Sequence, residues 1–396
     1  MFPHILDTKP LTVLRGNFLE LSKRINSLTS LRFFAAFAVV VGHAGDYLQF
    51  SGYKLPYIAL NKSHAVSFFF VLSGFILSYV YKNFNNLYDC WRFFSARIAR
   101  ILPVHLVTLF ICLVAFWPDI NAANIENVGQ TFAFNTMLLH SWIPNVNYYF
   151  SFNYVSWSIS TELGFYLSFP LLVILQNKYG PSFIILPLIP LIAILLYCVN
   201  NNTPISGMGV DMSGLIYISP LSRLLEFSTG ILACSLFEKM QRKDSKIFNS
   251  SIPGVIGLSV CFISPHLVNF IGVFFQRINL MPISLYLYQN GMGIFFAFTI
   301  VMLALGNGAL DKILCCKVLI WLGEISFSLY MVHQLIVRYI NRNLTELLSQ
   351  YPEHMFWVYI ISSIVFAAIT YHLVEVPSRE AIKRLTARMA YQLNKA

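Results

Sequence analysis

The chain has 396 residues, of which 57% are hydrophobic and only 11% charged, with a mean hydropathy of +0.64. A soluble domain usually carries about a quarter charged residues, so this composition leaves too little polar surface for water and excludes a soluble protein. The formal charge of +10 includes no basic stretch with interleaved aromatics, which argues against nucleic acid and for basic loops beside anionic lipid.

Residues 1–27 are polar and mixed, with no apolar core of a cleavable signal peptide. They read as a cytoplasmic N-terminal segment. A bilayer core takes about 20 apolar residues as a helix. Ten stretches meet that need: 28–47, 64–82, 100–117, 154–176, 181–199, 219–237, 251–268, 286–306, 318–340 and 355–375. The expected fold is all-α, a polytopic membrane protein of about ten transmembrane helices in one bundle over 28–375. Residues 376–396 follow as a cytoplasmic C-terminal tail. The apolar stretch 130–142 is short enough to be re-entrant or interfacial. It lies in the longest outer loop, 118–153, which contains Asp119, Glu126, Trp142, Tyr148 and Tyr149. That content suits either a wet cap that touches carbohydrate or an interfacial aromatic belt.

Lysine and arginine fall unevenly. With the N-terminus inside, twenty of them lie in the inner segments and four in the outer ones, Lys54, Lys62, Arg277 and Arg342. This split predicts that both termini are cytoplasmic. Three remain inside spans: Arg32, Arg223 and Arg338. Arg338 is near a helix end, where a long stem reaches the interface. The seven cysteines form no Cys-x-x-Cys and no disulfide framework, and the vicinal Cys315–Cys316 reads as inert. The nine histidines include no His-x3-His pair, and no phosphate-binding glycine motif is present. No metal site is expected.

Ionisable side chains within spans are the candidates for function. Arg32 and His43 are eleven residues apart, three turns of helix, so they share a face about 16 Å apart along the axis. One is placed toward the inner side and the other toward the outer. In 154–176, Glu162 is a carboxylate that needs a partner. In 219–237, Arg223 and Glu226 are three apart on one face and read as an ion pair or as part of an acceptor site. In 318–340, Glu324 and His333 are nine residues apart, which puts them on opposite faces of one helix. His333 reads as a hydrogen-bonded core histidine or a site residue. Before the third span, Arg92, Arg97 and Arg100 lie on an amphipathic run. Arg97 and Arg100 share a face there, suited to anchoring or to a phosphate-rich ligand.

Six stretches, in this order, resemble the acyltransferase family three of integral membrane proteins. They are "LTSLRFFAAFAVVVGHAG" with its Arg-x10-His spacing, "VSFFFVLSGFILSYVY", "RFFSARIARILPVHL", "SWSISTELGFYLSFPLL", "ISFSLYMVHQLI" and "HLVEVPSR". The likeness covers roughly residues 28–380. It implies ten core spans, a cytoplasmic acyl-CoA donor, acetyl-CoA foremost, and an acceptor hydroxyl at the outer face of the bacterial inner membrane. It implies roles in acyl transfer for Arg32 and His43. A chain that ends just after the tenth span is expected to lack the extra extracytoplasmic domain of some members.

The chemistry sharpens the assignment. A sugar hydroxyl is a poor nucleophile at neutral pH and needs a base, which neutral imidazole supplies. His43 is the expected base, with Glu162 able to orient it. Arg32, Arg97 and Arg100 are expected to bind the donor. Arg223, Glu226 and His333 are the acceptor or structural group. Acyl-CoA is a substrate here, and no permanently bound cofactor is expected. The partners are a polysaccharide or lipid-linked sugar and membrane lipid. A transporter or flippase for a lipid-linked saccharide is the competing reading.

Overall fold

The computed structural model describes residues 11–48, 62–117, 127–207, 209–242, 248 and 250–393. Every described element is helical: no strand occurs among these residues. The helices are α1 (Leu11–Leu48), α2 (Lys62–Val80), α3 (Leu87–Ala115), α4 (Trp157–Tyr179), α5 (Ile185–Asn200), α6 (Pro220–Gln241) and α7 (Ile252–Arg277). They continue as α8 (Met281–Asn290), α9 (Gly293–Leu305), α10 (Lys317–Glu324), α11 (Ser326–Asn343), α12 (Pro352–Thr370) and α13 (Val376–Leu393).

Each of the ten expected spans falls on one of these helices or on a consecutive pair. Among the described residues, seven helical stretches are long and apolar enough to cross a membrane, eight with the bent pair α10–α11. One of the seven, Tyr154–Asn200, holds two expected spans, α4 and α5. Helix α6 falls outside the set because the buried Arg223 and Glu226 lower its hydropathy. The chain is an all-α integral membrane protein.

Local chemistry sets several helix ends. Asn86 caps α3 by accepting the Asp89 N–H at 2.9 Å, and Asp89 adds negative charge to that first turn. Ser219 caps α6, with Pro220 at the first helical position. Helix α3 runs unbroken for 29 residues, so the basic run before the third span belongs to the span's own helix.

Glycines bring some helices into backbone contact. A Cβ on Gly74 of α2 would lie 2.0 Å from the Phe227 carbonyl oxygen of α6. One on Gly230 of α6 would lie 2.0 Å from the Val71 carbonyl oxygen of α2. Only hydrogen fits at either crossing. Gly323 of α10 meets the Thr29 carbonyl of α1 in the same way. Around these contacts Phe70, Phe165 and Phe227 pack edge-to-face and stacked, with centroids 4.8 and 4.9 Å apart.

Three expectations change. The stretch 318–340 is not one helix: α10 and α11 meet at 61°. At the bend the Ser326 hydroxyl donates to the Gly323 carbonyl at 2.6 Å, taking a helical acceptor. Glu324 and His333 therefore lie on different helices. Arg338 does not reach for the interface. Its guanidinium donates to the Phe152 carbonyl at 2.7 Å and sits over the rings of Phe116 and Tyr154 at 4.4 and 4.7 Å. Residues 376–393, within the expected tail, form the helix α13, which packs against α3.

The third change concerns the long loop, of which Asp119 and Glu126 lie outside the described residues. From 127 onward its polar side chains are partly folded into the bundle, while Met137, Trp142 and Phe150 stay exposed. Thr131, Asn135, His140, Ser141, Ser151 and Asn153 are all buried. Asn135 donates to Ser151 Oγ at 2.7 Å, Asn153 to the Met331 carbonyl at 3.0 Å, and Ser141 to Ser160 Oγ at 2.8 Å. Tyr149 is 1% exposed and donates to Asp211 at 2.8 Å. Burial, then the Asp211 carboxylate, pushes its phenol up, so it stays protonated as a donor.

Candidate active site

Two of the cavities among the described residues hold the expected site residues of α1. The first, of about 100 Å³, is lined by Arg32 from α1, Arg97 and Arg100 from α3, Ser73 from α2, and Ser158, Glu162 and Tyr166 from α4. The second, of about 380 Å³, is lined by Val39 and His43 from α1, Lys62 and Ser63 from α2, Gln289 from α8 and Gln334 from α11. Phe150, Tyr154, Trp157 and Tyr217 make its aromatic walls. Helical spacing explains the shared faces. Ser158, Glu162 and Tyr166 step by four along α4, and Arg97 and Arg100 step by three along α3. Along α1, Val39 and His43 face the second cavity while Arg32, two turns earlier, faces the first.

Val66 and Tyr330 line both cavities. Helices α2 and α11 thus pass from the arginine chamber to the histidine chamber at these two residues.

The arginine chamber holds three guanidinium groups against one lining carboxylate. Glu162 accepts from Tyr166 Oη at 2.6 Å and from Ser73 Oγ at 3.2 Å. Arg32 is within electrostatic reach of Arg100, Glu162 and Glu375. Glu375 accepts from Ser328 Oγ at 2.8 Å. Nε of Arg97 is buried with no hydrogen-bond partner among the described residues. A half-buried cluster of three arginines with an unused donor has the chemistry to hold an anion.

In the histidine chamber, His43 Nδ1 lies 3.1 Å from His333 Nε2. His333 Nδ1 lies 3.1 Å from the Leu329 carbonyl oxygen. A carbonyl only accepts, so His333 Nδ1 carries the proton and donates. The Nε2 of a neutral His333 is then a lone pair, and it accepts from His43 Nδ1–H. This leaves a lone pair on His43 Nε2. The chain of bonds selects the tautomer a general base needs. His333 is fully buried and His43 only partly so, and His43 lines the cavity.

The structure separates residues that the sequence grouped. Glu162 is not the partner of His43; it sits with Arg32, Arg97 and Arg100. His333, from the acceptor or structural group, is the group bonded to His43. Arg223 and Glu226 form the ion pair offered by their spacing, Nε to Oε2 at 2.9 Å, both buried. Arg223 also donates to Ser67 Oγ at 3.2 Å and lies over the rings of Phe70 and Tyr217 at 4.9 and 5.2 Å. It thereby backs a wall of the histidine chamber. Glu226 also lines an apolar cavity of about 560 Å³ between α6, α8 and α9.

Sequence reasoning passed over Tyr330, Tyr166, Ser158 and Glu375. Three of these signals were present, because Ser158 and Tyr166 lie in the same helical stripe as Glu162, and Glu375 is a carboxylate within the last span. Tyr330 carried none, because a tyrosine three residues before a histidine is ordinary in an apolar helix.

A sequence model described as an acyltransferase domain matches residues 25–374. The chain is 29% identical over 344 residues to the protein named Acyltransferase MdmB of Streptomyces mycarofaciens, a match covering 81% of this chain and 80% of that protein. It is 25% identical over 391 residues to a putative O-acetyltransferase of Staphylococcus aureus strain COL, covering 93% of this chain and 59% of the relative. It is 25% identical over 389 residues to the Peptidoglycan O-acetyltransferase OatA of Listeria monocytogenes, covering 90% and 56%. No solved structure matches the chain.

Proposed function

The chain belongs to this acyltransferase domain family, and on that premise we propose that it moves an acetyl group from acetyl-CoA to a hydroxyl of an extracytoplasmic or lipid-linked carbohydrate. The observation that carries the reading is the pair of chambers meeting at Val66 and Tyr330, arginines on one side and an oriented imidazole on the other. The excess of lysine and arginine in the expected inner segments supports an arginine chamber that faces the cytoplasm. Acyl-CoA supplies the phosphates that Arg32, Arg97 and Arg100 suit. Its thioester reaches toward the histidine chamber. The aromatic walls there suit a sugar ring. The names of the O-acetyltransferase relatives support acetyl as the group moved.

The step balances as follows. His43 Nε2 takes the proton of the sugar hydroxyl as its oxygen bonds to the thioester carbonyl carbon. The carbon–sulfur bond breaks, and the CoA thiolate takes the proton back from His43. His333 holds Nδ1 throughout and stabilises the imidazolium by accepting its proton in a hydrogen bond. A positioned base of this kind contributes about 10²- to 10⁴-fold.

Mass spectrometry of glycans from cells with and without the protein tests the reading. Loss of an acetyl mass without the protein supports it. Unchanged acylation with lost glycan export would replace it with transport of a lipid-linked saccharide.

A further inference from the structure

We propose that Val66 and Tyr330 form a neck that sets the length of the acyl group, admitting two carbons and excluding longer chains. The inference rests on the acyl-CoA reading above and goes beyond it by naming the residues that choose the donor. These two side chains line both chambers. They are the residues common to the two linings, so the route from the arginines to His43 runs past them.

The side chains of the neck are buried and held in place. Val66 and Tyr330 are 4% and 6% exposed. Val66 is β-branched and stiff on its helix. The Tyr330 hydroxyl is held at two points, 2.7 Å from Ser158 Oγ and 3.1 Å from the Val155 carbonyl oxygen. Its ring packs edge-on against Phe69, centroids 6.2 Å apart, and tilted against His333 at 5.9 Å. The tyrosine therefore touches the histidine that orients the base, and it cannot swing aside without breaking hydrogen bonds to α4 and to the turn before it. An extra methylene in a close-fitting apolar site shifts discrimination by roughly 10- to 200-fold.

The test needs no acceptor. Binding of free CoA, acetyl-CoA and butyryl-CoA to the full chain in detergent micelles is measured by calorimetry for the wild type and three conservative variants. The wild type should bind butyryl-CoA at least about tenfold more weakly than acetyl-CoA. Val66→Ala widens the neck and should bring the two affinities together. Val66→Ile should widen the gap or extend discrimination to acetyl-CoA. Tyr330→Phe keeps the ring but frees its tether, and should also relax the preference. Free CoA should bind all four proteins alike, which reports that the variants are folded. Equal butyryl-to-acetyl ratios in all four proteins, with free CoA bound, would overturn the neck and leave the donor assignment standing. No binding of any CoA species to the wild type would overturn the donor assignment itself and the neck with it.

Discussion

His43 and His333 stand 290 residues apart in sequence and 3.1 Å apart in space, Nδ1 to Nε2. The Leu329 carbonyl behind His333 sets the direction of the whole relay. One buried imidazole thus does for His43 what a carboxylate does in many His-based sites: it holds the tautomer and the ring plane. A neutral partner suits a low-dielectric bundle, where an isolated carboxylate would be costly to bury.

His43→Ala should abolish acyl transfer while the protein still accumulates in the membrane, with a loss of about 10²-fold or more. His333→Ala should lower turnover by freeing the His43 ring. His333→Gln should recover part of it, because its amide oxygen can accept from His43 Nδ1–H. Turnover per molecule, normalised to membrane abundance, checks all three. Near-normal product from His43→Ala would remove His43 from the chemistry.

Glu162→Gln should weaken acyl transfer while leaving abundance near that of the wild type. Gln keeps an acceptor for the Tyr166 and Ser73 hydroxyls but removes the one carboxylate lining the arginine chamber. Charge-assisted hydrogen bonds are worth about 1.5–3 kcal/mol. A variant that fails to accumulate would make Glu162 mainly a structural partner of the arginines.

Arg32→Ala should weaken acetyl-CoA binding by about 10- to 150-fold, the equivalent of about 1.5–3 kcal/mol for a lost charge-assisted contact. Arg32→Lys should fall between, since the ammonium keeps the charge but loses the planar fork. Calorimetry with purified protein reads both. Unchanged affinity in the two variants would take Arg32 out of donor binding.

Gly74→Ala should destabilise the bundle by roughly 1–3 kcal/mol or more, because its Cβ would meet the Phe227 carbonyl. Gly129→Ala, where nothing beyond its own stretch of helix lies within 4 Å of the added carbon, should be neutral or slightly stabilising. Thermal unfolding in detergent compares them. Equal melting temperatures would mean that α2 and α6 part easily at this crossing.

What the sequence by itself determined is what lies along single helices. Rise and turn are constants of the helix, so spacing alone put Arg97 with Arg100, paired Arg223 with Glu226, and sent Arg32 and His43 to separate ends of one stripe. Hydropathy located the ten helical stretches, because lipid tolerates little else. Partners on different helices were decided only by the fold. Gly74, Gly230 and Gly323 admit close crossings, and those crossings choose which faces meet. That packing gave His333 rather than Glu162 to His43, and it brought Glu162 among the arginines. It folded a polar loop into the interior, where Asn135, Asn153 and Ser141 find hydrogen-bond partners that no local spacing reveals. It bent 318–340 where a serine hydroxyl competes for a backbone carbonyl. Helix-local geometry follows from the backbone's own dimensions, whereas contact between helices depends on shapes hundreds of residues apart, and only the assembled bundle carries that information.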